Sequence, residues 1–151
     1  MAITLPAFTP VEDSLFLTLY SRALDNRLSK PVLPDATADE IVRKLDYDFD
    51  QFKVNKNFIL NVALRAKKLD DVASGFIRHH PNAVGLDLGA GLDARIVRIA
   101  APATIDWYDV DYPAVVAARE RVIPEHANAH NIGADVTETD WLMLSPLTDR
   151  L

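Results

Sequence analysis

The sequence predicts an α/β fold in which a sheet of parallel strands follows a helical N-terminal extension. Three observations carry this. Apolar side chains in residues 1–80 recur at helical spacing. From residue 81 onward, short apolar runs at 83–88, 104–110 and 127–134 alternate with helical stretches near 93–100 and 113–122, the rhythm of βαβ units. At the end of the first run stands the turn Gly89-Ala90-Gly91, bare backbone at the point where such sheets receive ligands.

The elements follow in order. After Thr9-Pro10, VEDSLFLTLYSRALDN sets Leu15, Leu19 and Ala23 four apart, with Glu12 and Asp13 near the start, where the helix dipole favours acids. Pro31 and Pro34 break the chain. ATADEIVRKL predicts a second helix, with Thr37 as its cap and Glu40 at capping-box spacing. After the aromatic, acidic link DYDFDQF, residues 56–79 carry apolar side chains at 58, 59, 62, 69, 72, 76 and 77, an expected buried stripe that Pro81 ends. Trp107, Tyr108 and Trp141 are expected in the core. One domain is predicted, with 1–80 as a helical cap and 81–151 as the first part of the sheet.

Bulk properties narrow the function. With 151 residues and 49% hydrophobic content the chain can bury a core. No window has the apolar length of a membrane span, and MAITLPAFTP lacks the features of a secretory signal, so a cytoplasmic protein without a membrane partner is expected. The absence of cysteine excludes disulfides and thiolate chemistry. A net charge of -6 without a basic stripe argues against nucleic acid as a partner. His126 and His130, four apart with no third ligand, read as a wetted surface rather than a metal site, and His79 and His80 as a helix end.

The turn is followed by acids at each later strand end. Ala94 stands where a dinucleotide fingerprint has its third glycine, a position that tolerates Ala. Asp111 lies 20 residues after Gly91, the distance at which a carboxylate meets ribose hydroxyls. The competing reading is a plain tight turn with solvated acids, and for Asp109 the solvated reading is preferred. Asp135 ends the third run on the same rim, where a carboxylate can accept from an exocyclic amino group.

DLGAGLDARIVRI, YDVDYP and GADVTETDW together resemble the S-adenosylmethionine-dependent O-methyltransferases of the leucine carboxyl methyltransferase family, over about residues 15–141. The resemblance implies a Rossmann-like class I methyltransferase sheet, S-adenosylmethionine as cofactor and a small-molecule, polyketide-like acceptor methylated on oxygen. It further implies cofactor contacts at Gly89, Ala90, Gly91, Asp111, Asp135 and Val136. Arg65 is the implied ligand of the methionine carboxylate, with Arg22 on the first helix doing similar work. Asp87 departs from the family's usual neutral residue and is expected to support the site rather than touch a ligand; Asp109 stands where Glu is common.

Methyl transfer from a sulfonium is an in-line displacement, so the protein's task is to align donor and acceptor and exclude water. A carboxylate acceptor requires no base, whereas a phenol or alcohol would want one, and no catalytic base is assigned. The implied sheet needs about four more strands after residue 135 than the remaining residues can form. The chain is therefore expected to self-associate or to be part of a longer protein. Two alternatives stay open: a truncated homologue that holds the cofactor without turnover, and a nicotinamide-dependent oxidoreductase using the same turn.

Overall fold

The computed structural model describes residues 3–5 and 8–143. Five helices and three strands follow one another as α1 (Pro10–Asn26), α2 (Ala36–Lys44), α3 (Lys56–His79), β1 (Val84–Leu88), α4 (Arg95–Arg98), β2 (Asp106–Asp111), α5 (Pro113–Val122) and β3 (Ala129–Gly133). Short 3-10 turns at Phe49–Gln51 and Asp140–Met143 complete the list. The side chains of residues 10–13, including the acids expected at the start of α1, lie outside the described set.

The helical cap forms as its periodicity demands. Leu15, Phe16, Leu19 and Ala23 of α1 bury against Ala38, Ile41 and Val42 of α2, with Phe49 closing the cluster. Full burial of a Leu or Phe stabilises by roughly 1.5–3 kcal/mol, enough for this cluster to fix the crossing of α1 over α2. The cap of α2 is Asp35 rather than Thr37: the Asp35 side chain accepts from the Ala38 amide, which places Thr37 inside the first turn. An Asp directly before the helix outcompetes a Thr already within it.

In α3 the buried residues are Val62, Ala63, Ala66 and Asp70, not the expected stripe. Of that stripe only Val62 is buried. Phe58, Leu69, Val72 and Phe76 are exposed, and Ile59 and Ile77 are half-buried. The small Ala63 and Ala66 pack against Leu33 and Val32 of the segment that joins α1 to α2. The larger side chains point away.

The three strands are parallel in the order β1-β2-β3. Leu88 pairs with Val110, and Asp111 pairs with Gly133. That register brings the glycine turn, Asp111 and the segment after Gly133 out on one rim, the carboxyl end where ligands of open α/β sheets sit. Trp107 packs with Ile96, Ala101 and Ile105 on one face, while Tyr108 and Val110 pack with Trp141 on the other. All three aromatics are core, as expected. α4 is one turn long, shorter than the predicted 93–100, because Ala100 adopts a left-handed φ of 48° and Pro102 follows.

Gly85 is required for a steric reason: a Cβ there would collide with the ring of Trp107, which is fixed by its own hydrogen bond to Asp109. Gly85→Ala is therefore expected to lower the unfolding free energy by about 1–3 kcal/mol, read from urea denaturation. An unchanged midpoint would show that the ring has room to move.

Candidate active site

A cleft of about 490 Å³ opens between the helical cap and the glycine turn. Thr18 and Arg22 of α1, Arg65 and Leu69 of α3, residues 87–93 and Asp111 all line it. The cap therefore supplies one wall and the sheet rim the other.

The turn between these walls is fastened from both sides. Gly89 and Gly91 have φ of 71° and 53°, which side chains with a Cβ rarely adopt. The amides of Gly89 and Ala90 donate to the Val110 carbonyl at 2.8 and 3.3 Å, and the Gly91 amide donates to Asp111 Oδ2 at 2.7 Å. Every amide of the triplet is thus occupied, and Asp93 stands just before the single turn of α4. A pyrophosphate needs free amides at the start of a helix, so this turn is poorly built for a dinucleotide.

Behind the turn lies a cluster of three arginines and three aspartates drawn from four segments. Arg22 Nη1 donates to Asp35 Oδ2 at 2.8 Å and to Asp93 Oδ1 at 2.9 Å, and its Nη2 donates to the Leu92 carbonyl at 3.0 Å. Arg98 donates to Asp70 at 2.6 and 2.9 Å, to Asp35 at 2.8 Å and to Asp93 at 2.6 Å. Arg95 donates to Asp70 and Asp93 at 3.2 and 3.0 Å. Burial pushes the Asp93 carboxyl up, but the guanidinium groups of Arg22, Arg98 and Arg95 outweigh it and hold the group well below the ordinary range. Burial likewise disfavours the charge on Arg98, and Asp70, Asp93 and Asp35 reverse that effect, raising its pKa. The six charges balance one another.

Two charges facing the cleft stand outside this cluster. Asp87 Oδ2 is buried without a hydrogen-bond partner and is ion-paired with Arg95 Nη1 at 3.5 Å, while Arg95 Nε and Nη2 serve Asp70 and Asp93. Desolvation, resisted in part by Arg95 and helped by Asp93, pushes the Asp87 carboxyl up to about 6. On the facing wall Arg65 is exposed and makes no ion pair or side-chain hydrogen bond among the described residues. The cleft thus presents a carboxylate without a hydrogen bond and a guanidinium without an ion pair among the described residues to the same space.

Of the residues expected from sequence, Arg22, Arg65, Gly89, Ala90, Gly91 and Asp111 meet at the cleft. Asp135 and Val136 do not line it. They follow Ala134, whose amide donates to the Asp111 carbonyl at 2.8 Å, so they lie one loop further along the rim. Asp135 accepts from the Thr137 amide and hydroxyl at 2.9 and 2.7 Å, bonds that lower its pKa. Arg22 is 4% exposed, lines the cleft and donates to Asp35, Asp93 and the Leu92 carbonyl, contacts that brace the turn.

Asp109 is corrected outright. It is buried, its Oδ2 lies 2.5 Å from Arg119 Nη2, and it accepts from Trp107 Nε1 at 3.0 Å. Burial raises its pKa, with Arg119 and Trp107 offsetting part of the shift. Asp87, expected only to support the site, faces the cleft directly. Sequence reasoning missed Asp35, Asp70, Arg98 and Arg119. A signal existed: Asp70 falls four after Ala66 and Arg119 four after Val115, charged residues on buried helical stripes.

Among the described residues no helix is long and apolar enough to cross a membrane. Over 138 residues the chain is 46% identical to the tetracenomycin polyketide synthesis O-methyltransferase TcmP of Streptomyces glaucescens, covering 91% of this chain and 51% of that protein. It is 27% identical over 147 residues to the S-adenosyl-L-methionine-dependent methyltransferase dpfgK of Gibberella zeae, covering 89% of this chain and 49% of that protein. A putative S-adenosyl-L-methionine-dependent methyltransferase of Mycobacterium tuberculosis is 27% identical over 141 residues, covering 80% of this chain and 40% of that protein. The chain spans about half the length of these curated relatives. The model of the leucine carboxyl methyltransferase family matches residues 16–144, and with the glycine turn and its acids in place the chain belongs to that family.

Proposed function

We propose that this chain forms the cofactor-binding half of an S-adenosylmethionine-dependent O-methyltransferase acting on a small, polyketide-like acceptor. The observation that carries the proposal is the pair of charges of opposite sign lining one cleft, Asp87 with a single 3.5 Å contact to Arg95 and no hydrogen bond, and Arg65 with no ion pair among the described residues. The amino acid tail of S-adenosylmethionine carries an ammonium and a carboxylate. Asp87, its Oδ2 buried without a hydrogen bond, suits the ammonium, and the free guanidinium of Arg65 suits the carboxylate. The residues present fit the cofactor.

The remaining contacts follow the rim. Asp111, with Oδ2 on Gly91 and Oδ1 on its neighbour's amide at 2.8 Å, keeps lone pairs for ribose hydroxyls. Gly89, Ala90 and Gly91 allow close approach of a ligand to bare backbone. Asp135 would accept from the adenine amino group with Val136 against the ring. Arg22 holds the turn in shape rather than the ligand. When bound, the cofactor supplies a methyl carbon already attached to a good leaving group. The chain's own contribution is to orient that group and to exclude water from the cleft wall formed by Leu69, Leu88 and Leu92.

The occupied amides of residues 89–91 count against the nicotinamide alternative. Exposed Leu64, Leu69, Val72 and Phe76 of α3, together with Leu86 and Leu88 of β1, favour coverage by further protein, and self-association would supply it. Turnover is proposed for this chain as part of a longer protein, and incubation with labelled methyl donor and a panel of carboxylates and phenols separates that reading from a homologue that holds the cofactor without turnover.

Arg65→Ala is expected to weaken S-adenosylhomocysteine binding about ten- to a hundred-fold, the loss of roughly 1.5–3 kcal/mol from a charge-assisted bond, with the melting temperature unchanged. Arg22→Ala should instead destabilise the fold by about 3–5 kcal/mol, since it leaves buried acids short of a partner. Calorimetric titration and thermal unfolding read the two, and parental affinity in Arg65→Ala would refute the assignment.

Asp87 gives a pH signature. Its folded pKa of about 6 exceeds the unfolded value, so between pH 4 and 6 the folded chain binds a proton that the unfolded chain does not, and stability falls as pH rises through that window. Asp87→Asn should therefore be more stable than the parent at pH 7 by on the order of 2 kcal/mol, the gap closing toward about pH 4. S-adenosylhomocysteine affinity should decline below about pH 6 in the parent only. Parallel pH profiles for the two chains would contradict this role.

A further inference from the structure

We infer that Arg119 is a positioning residue that sets the shape of the glycine turn and, through it, the aim of Asp111. The inference rests on the cofactor reading above for its consequence but not for its geometry. Arg119 lies on α5 and is 1% exposed. Its Nη2 pairs with Asp109 and its Nε donates to Asn131 Oδ1 at 3.1 Å, which anchors the guanidinium to β2 and β3. The remaining nitrogen, Nη1, points at the turn and donates to the carbonyls of Ala90, Gly91 and Asp93 at 3.4, 2.7 and 2.9 Å.

A buried arginine whose purpose was only to neutralise Asp109 would not need three carbonyls from a single turn. Their convergence on one nitrogen has a directional result. Gly91 is held at both ends: its carbonyl accepts from Arg119, and its amide donates to Asp111 Oδ2 at 2.7 Å. Drawing the carbonyls toward α5 turns the amides the other way, toward β2 and Asp111. The carboxylate expected to meet the ribose is thereby fixed by a side chain that never touches the ligand. Lysine cannot replace this, because one ammonium on a flexible stem cannot reach Asp109, Asn131 and the carbonyls together.

The test uses the full chain with Arg119→Lys and, to avoid an unpaired buried acid, the double variant Arg119→Ala with Asp109→Asn. Two readouts are taken: hydrogen exchange at the Gly91 amide without ligand, and S-adenosylhomocysteine affinity by calorimetry. In both variants the Gly91 amide should lose its protection while amides in the middle of β2 keep theirs, and affinity should fall about ten- to a hundred-fold. Methylguanidinium at millimolar concentration should restore part of both in the double variant, a rescue that general destabilisation would not give. Should the double variant lose its fold, Arg119→Lys decides alone. A protected Gly91 amide or parental affinity in a folded variant overturns the inference. If the parent chain binds no S-adenosylhomocysteine, the cofactor reading fails, and the exchange measurement still decides whether Arg119 sets the turn.

Discussion

The site depends on an electrostatic constraint: three arginines and three aspartates from four segments meet and balance behind one turn. The apolar cluster of the helical cap also takes in Leu92 of the turn and Val115 and Ala118 of α5, so apolar packing joins cap and sheet, and the charged cluster adds a directional constraint at the same junction. Arg22 reaches Asp93 across 71 residues, and Arg98 reaches Asp35 and Asp70 across 63 and 28. Such groups are costly to bury unless each finds its partner, which makes the arrangement discriminating. The observed placement of α1 and α3 over the turn gives each of the six a partner.

That placement also creates the cleft. Because the cluster consumes its own charges, what remains facing the opening is chemically legible: an acid on the sheet side, a guanidinium on the helix side and Asp111 at the rim. A zwitterionic amino acid attached to a ribose matches these groups in kind. The glycine turn acts less as a phosphate cradle than as a stiff edge, its amides tied to β2 and Asp111 and its carbonyls to Arg119. Asp87 is the exception to the balance, a carboxyl held in a destabilised state, as groups reserved for a ligand often are.

Much of this was legible in the chain. Periodicity and capping located α1, α3, α5 and the three strands, because each is a local pattern. The turn at Gly89 and Gly91 was legible from bare backbone at a strand end, and Asp111 from its distance to it. Thr37 was misjudged as a cap because Asp35 is nearer the true start, and the stripe of α3 was misjudged because large apolar residues ring that helix. The balanced cluster stayed hidden: Asp35, Asp70 and Arg98 each look like surface charges until their partners, many residues away, are known. Asp109 was misread for the same reason, its partner lying on the next helix.

The most direct test of the central claim is a crystal structure of the chain with S-adenosylhomocysteine. Density in the cleft with the amino acid tail between Asp87 and Arg65 and the ribose on Asp111, the arginine cluster unmoved, is the predicted result. Density at another surface, or a tail held by Arg22 after it has left Asp35 and Asp93, would contradict the account.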